Sequence, residues 1–306
     1  MGAPFLYQIF SSSALLCLGL YHLVSSTRHH LKSPQSYAAK PFHHFPPSSS
    51  ASTHRLRHLP LYLILLCLLL ASLHQTISSF DSDPLLKGRT PVHRFTSLQS
   101  AAVLFLFLLL SLLLLLSDSF PSLFPLPNDL FFALAASLFY LHSSISSSAA
   151  FVQTSHLQAK CDSVSSRISA LAALLSLALA VQPKLFIADI GLAASICLQG
   201  LWMLQTGLSL YVEAFIPEGC HRLLEVVNGV ESSTKCDLEE SGLRAVAILD
   251  LVFLVHVMFV FLIVMVTYAV ISKSVGVRRL GSYEALPTAA LDNNHIQMKS
   301  LTGTQA

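Results

Sequence analysis

Charge is scarce in this sequence. Only 11% of its residues are Asp, Glu, Lys or Arg, where a soluble domain carries about 25%. A chain that turns its whole surface to water is therefore excluded. The net charge is +2, and no basic cluster is interleaved with aromatics, so no nucleic-acid partner is expected. Asn-x-Ser/Thr is missing throughout, and N-glycosylation is not expected. The six cysteines include no C-x-x-C pair, which removes zinc-ribbon and thioredoxin-type chemistry. The first four residues have no Lys or Arg, and no A-x-A-like site closes the first apolar run. A retained first helix is expected rather than a cleaved signal.

What is present in abundance is long apolar sequence. The stretch 98–116 holds eleven leucines and no charge, and about 20 apolar residues cross a bilayer core. Seven spans are expected, at about 5–24, 59–77, 98–116, 130–148, 164–181, 185–211 and 245–271. The fourth dissolves into the serine run 143–148. The fifth is short and pressed against the sixth by Gln182-Pro183-Lys184, where proline breaks a continuous helix and sets a tight hairpin. Lipid admits only helices or closed barrels, and the alternation of barrel strands is absent. The expected fold is an all-α integral membrane protein, one domain over 1–271 made of about seven transmembrane helices. The polar connection 25–58 and the tail 272–306 read as disordered by composition.

Lys and Arg near the spans set orientation. The first connection carries Arg28, Lys32, Lys40, Arg55 and Arg57 with no acid, and the tail carries Lys273, Arg278, Arg279 and Lys299. Together with Lys184 these are ten of eighteen basic residues. The N-terminus is expected on the luminal or extracellular side and the C-terminus in the cytosol. The segment 212–244 then lies outside, with seven of the sixteen acids and with Cys220 and Cys236. In an oxidising compartment these two cysteines suit a disulfide worth roughly 3 kcal/mol of chain entropy; two free thiols are the other reading.

Polar residues inside spans point to function, because a charge near the bilayer centre costs about 3 kcal/mol. Asp250 and His256 lie in the seventh span but roughly 120° apart on the helix. One reading is a relay or ligand site in the bundle interior, formed by Asp189, Gln199, Gln205, Asp250 and His256. The other is a hydrogen-bonded His256 and an Asp250 near the interface. Ala193, Gly200 and Gly207 recur every seven residues and form a small-residue stripe of the kind that lets membrane helices approach closely. Seven of the fourteen histidines fall at 22, 29, 30, 43, 44, 54 and 58. His-rich loops bind borderline metals, but no carboxylate or cysteine lies among these, and a solvated loop is expected with no metal and no cofactor. Tyr283-Glu-Ala-Leu286 has the form of a tyrosine-based sorting signal, though four-residue patterns also arise by chance.

The run Leu198-Gln199-Gly200-Leu201-Trp202-Met203-Leu204-Gln205-Thr206-Gly207 resembles the "LQG-x-W-x-x-Q-x-G" signature of the transmembrane protein 45 (TMEM45) / DUF716 family. Phe139-Tyr140-Leu141-His142-Ser143 is similar to that family's "F-x-x-H-x-H" stretch, and Gly19-Leu20-Tyr21-His22 is a further echo. The family's "GH-x-x-PG" is absent, and Ala135 or Ala136 stands where an acid is usual. The resemblance covers spans three to seven. It implies a seven-span protein of plant type with no settled biochemical activity.

Three classes of function follow. The leading one is a non-catalytic membrane protein acting through helix packing and partners, in contact with the lipid bilayer and with other membrane proteins or a second copy of itself. The alternative is a transporter or channel for a small solute or ion, although the spans lack paired charges. An intramembrane metal-dependent hydrolase ranks third, because His74, His142 and His256 lie on separate helices where that chemistry needs converging ligands. No enzyme activity and no catalytic residue are expected.

Overall fold

The computed structural model describes residues 3–44, 58–80, 92–120, 122, 124–153, 155–225 and 230–281. Its elements in chain order are α1 (Ala3–Lys32), α2 (Leu59–Phe80), α3 (Val92–Ser119), α4 (Asn128–Val152), α5 (His156–Val181), α6 (Phe186–Tyr211), β1 (Cys220–Glu225), β2 (Val230–Cys236) and α7 (Glu239–Gly281). Among the described residues, all seven helices are long and apolar enough to cross a membrane. The protein is an all-α multi-pass bundle carrying one small antiparallel hairpin.

Several helices are longer than composition alone implies. α1 runs eight residues past the expected end of the first span. Its polar C-terminal part faces protein rather than lipid: Ser26 and Thr27 are buried, and Thr27 Oγ1 donates to Leu23 O at 2.7 Å. The serine run does not end α4. Ser148 Oγ donates to Ser144 O at 2.9 Å, and Ser166 Oγ from α5 donates to Ser143 O at 2.9 Å. Hydroxyls that bond helical carbonyls hide their polarity from lipid. α7 has 43 residues, about 65 Å at 1.5 Å per residue, far more than a core of about 30 Å requires. It therefore extends through the first part of what composition assigns to a disordered tail.

Helix pairing is sequential for α2 with α3 and for α4 with α5, but α1 packs mainly on α6. The two are antiparallel, and small residues make this possible. A Cβ built on Gly19 would meet Cys197 Sγ at 2.5 Å and Ala193 O at 3.1 Å. One on Gly200 would meet Leu16 N at 3.0 Å, and one on Gly207 would meet Gln8 Cβ at 2.9 Å. Ala193 is fully buried. The stripe is thus the contact surface with α1, at backbone distance.

Trp202 organises the other side of α6. It is buried, its Nε1–H donates to Cys161 O on α5 at 3.0 Å, and its ring meets Phe253 of α7 edge-on at 5.5 Å. A tryptophan buried in a bundle needs a partner for its N–H, and the α5 carbonyl supplies it. Most of α7 faces outward, with Leu251, Met258 and Phe261 exposed, as a lipid-facing helix requires.

The segment between α6 and α7 is rich in acids. It is a hairpin with Cys220 opposite Cys236 and a register irregularity between Arg222 and Leu224. The two cysteines are joined by a disulfide. Gly219, at φ +84°, takes the left-handed turn into β1 that glycine permits. Ser155 Oγ donates to Thr234 O at 2.6 Å and fastens the hairpin to the start of α5.

Candidate functional site

The polar residues singled out in the sequence do not converge. Gln199 donates to Ser165 Oγ on α5 at 2.7 Å, and Gln205 donates to Ser209 Oγ one turn along its own helix at 2.9 Å. Asp250 is not in the bundle interior: half exposed, it pairs with Lys160 Nζ at 2.6 Å. His256 Nδ1 lies 2.7 Å from Val252 O on its own helix, and its ring meets Trp202 edge-on. Tyr283 and Leu286 of the sorting-type tetrapeptide, and His54 of the histidine-rich connection, lie outside the described residues.

Asp189 is different. It sits in the first turn of α6 with no exposed surface. The helix N-terminus favours a carboxylate there, and two partners from the N-terminal part of the chain complete its coordination. His22 Nε2 of α1 lies 2.8 Å from Oδ1, and Tyr37 O–H donates to Oδ2 at 2.5 Å. A carboxylate only accepts, so His22 carries its proton on Nε2 in this pair.

Tyr37 belongs to the connection after α1, and aromatic packing fixes it. Its ring meets His30 at 5.1 Å and Phe186 at 5.5 Å, each edge-on, while His30 stacks on Phe186 at 3.9 Å. Ala39 N–H donates to Pro183 O at 2.7 Å, pinning the connection to the α5–α6 turn. Burial, and then the Asp189 carboxylate, push the Tyr37 hydroxyl above its usual range, so it remains a donor. Residues 33–44 are therefore not the solvated loop that composition implies: Tyr37 and Ala39 are buried.

His43 closes the cluster. Its Nε2 lies 3.2 Å from Ser26 Oγ, Tyr21 O–H donates to its carbonyl, and its ring is tilted against that of His22 at 5.7 Å. Burial, and then the adjacent His22, hold its pKa down to about 4, so it is neutral near pH 7.

A second group stands at the same end of the bundle. His44 Nε2 lies 2.6 Å and His58 Nδ1 3.0 Å from Asp118 Oδ2, near the end of α3. No carboxylate lies among the histidines in the sequence because Asp118 is sixty residues beyond His58. Chain distance hid it; folding α3 back against α2 supplies it. At the opposite end, a shallow pocket of about 310 Å³ is lined by Ser147, Phe151, His156, Lys160 and Val246.

The Asp189 cluster can orient α1, its following connection and α6 relative to one another. Of this cluster, Asp189 stands out in the sequence as an acid inside a span, and the echo Gly19-Leu20-Tyr21-His22 is the signal that includes His22. Comparison with known proteins bears on the second half of the chain. No curated protein matches it. The matching stretch begins at α4, leaving span three outside the resemblance expected for it, and contains the Trp202 motif, Asp189 and the disulfide hairpin. Over residues 128–269 the chain matches the model of DUF716, a family of unknown function.

Proposed function

We propose that the protein is a non-catalytic membrane protein of the transmembrane protein 45 kind, working through helix packing and membrane partners. One observation carries this reading: both oxygens of the buried Asp189 are taken up by His22 and Tyr37. A buried carboxylate so occupied fixes helices and offers no vacant oxygen to a passing solute. Gln199, bonded to Ser165, and Trp202, bonded to the Cys161 carbonyl, fit the same role.

In this reading the N-terminus is luminal or extracellular and the C-terminus cytosolic. Two observations support it. The disulfide belongs in an oxidising compartment, and ten of the eighteen basic residues fall in the segments on the opposite side. The transporter reading draws support from the neighbouring polar rings of His22 and His43 beside Asp189, a chain that resembles a proton path.

Reconstitution separates the two. Sealed liposomes containing the purified protein, loaded with a pH-sensitive dye and given a proton gradient, are expected to leak like empty vesicles. Proton flux above that background, abolished by Asp189→Asn, would replace this reading with the transporter.

A further inference from the structure

We propose that His44, His58 and Asp118 form a binding site for one divalent transition-metal ion of borderline character, with zinc the best fit, which clamps the α1–α2 connection to the end of α3. One donor atom from each residue lies within 4.8 Å of the other two. Two imidazoles and one carboxylate suit zinc and its neighbours in the first transition row, whereas calcium and magnesium prefer oxygen alone. The side chains are 31%, 18% and 25% exposed for His44, His58 and Asp118. Solvent thus reaches the cluster, yet each residue is partly held by its surroundings.

The spacing suits an ion after a small adjustment. Donors on a tetrahedral ion at about 2.0–2.1 Å stand about 3.3 Å apart. His44 Nε2 and His58 Nδ1 stand 2.6 and 3.0 Å from Asp118 Oδ2, so each of these two separations grows by well under 1 Å to admit it, while the two nitrogens already lie within 4.8 Å of each other. Small side-chain rotations supply that movement. The two imidazole rings already meet edge-on at 5.7 Å, and Phe42 packs edge-on against His44 at 5.1 Å, which restricts how far that ring can turn. Three donors among the described residues leave a fourth position on a tetrahedral ion.

The placement gives the ion a mechanical role. His44 and His58 bracket residues 45–57, and Asp118 lies one residue before the end of α3. One ion therefore ties both ends of that stretch to a third element, and a ligand that binds only the folded state stabilises it by mass action. This role is independent of the non-catalytic reading, which stands or falls on flux rather than on metal.

Full-length protein, purified in detergent and stripped with a chelator, is titrated calorimetrically with zinc chloride in the presence of millimolar magnesium. The expected result is one zinc per chain at micromolar or tighter affinity. His44→Gln, His58→Gln and Asp118→Asn should each weaken it by more than about tenfold, since losing even a group that merely orients a ligand is worth about 10–100-fold. His156→Gln, at the opposite end of the bundle, should retain wild-type affinity. No zinc heat, or equal binding by the three variants and wild type, overturns the site. X-ray absorption of the wild-type zinc complex guards against variants that fail to fold: nitrogen and oxygen donors with two imidazoles are expected, and a sulfur donor or a single imidazole overturns the proposal.

Discussion

His22 and Asp189 stand 167 residues apart in the chain and 2.8 Å apart in space, in a pair that excludes solvent from the carboxylate altogether. The pair sits where the last turns of α1 cross the first turn of α6. It joins the part of the chain before residue 128 to the part that matches DUF716. Close backbone packing along Gly19, Ala193, Gly200 and Gly207 brings the helices near enough for the pair to form, and Tyr37 then covers it.

Removing the tyrosine hydroxyl tests that cover. Tyr37→Phe keeps the ring packed on His30 and Phe186 but deletes the donor to Asp189. Hydrogen bonds to charged groups are worth about 1.5–3 kcal/mol, and the loss should fall in that range. Denaturation of the variant in mixed micelles measures it, and a change below about 0.5 kcal/mol would mean the bond contributes little.

Glycine positions should divide sharply. Gly19→Ala puts a methyl group 2.5 Å from Cys197 Sγ and 2.8 Å from its backbone nitrogen. Overpacking of this kind costs about 1–3 kcal/mol. Gly276→Ala in α7 meets nothing within 4 Å, and alanine should favour the helix by about 0.5–1 kcal/mol. Melting temperatures of the two variants should move in opposite directions.

The disulfide Cys220–Cys236 closes a loop with a separation of 16 residues, for which chain entropy gives about 3 kcal/mol. Replacing both cysteines by serine should lower stability by about that amount. Maleimide labelling of denatured, unreduced wild-type protein should modify four cysteines, because Cys17, Cys67, Cys161 and Cys197 are free; labelling of all six would remove the bridge.

His43 gives the fold a pH dependence with a defined sign. Its native pKa is held to about 4 from an ordinary 6.5. Below pH 6.5 the unfolded chain takes up a proton that the folded chain refuses, so stability falls as pH drops from about 6.5 to 4 and levels off beneath. A His43→Gln variant should show a shallower decline over that window. Melting curves at pH 7.5, 6 and 4.5 measure the difference; parallel declines would mean His43 titrates normally.

The helices were legible because crossing a bilayer is a one-dimensional demand: twenty apolar residues reveal it wherever they pack. The stripe of Ala193, Gly200 and Gly207 was legible for the same reason, as a periodicity on one helix, though nothing on that helix named α1 as its partner. The polar clusters were not legible. Asp189 stood out in its span, but its partners include Tyr37, in a stretch whose Ser, Pro and His content reads as disorder, and only the fold shows that this stretch is laid against the α5–α6 turn. Asp118 likewise gained its meaning from His44 and His58, which reach it across the α2–α3 pair. Asp250 left two readings open, a site in the bundle interior or a place near the interface. Its half-exposed position beside Lys160 on α5 agrees with the second, and the pairing itself could not be read from α7 alone.

A double-mutant cycle on His22 and Asp189 tests the account most directly. His22→Leu, Asp189→Leu and the pair together are unfolded in mixed micelles beside wild type. If the pair locks α1 to α6, the double variant is less destabilised than the sum of the singles, by about 1 kcal/mol or more. Single effects that add to within about 0.3–0.5 kcal/mol would contradict it, leaving α1 and α6 held by packing alone.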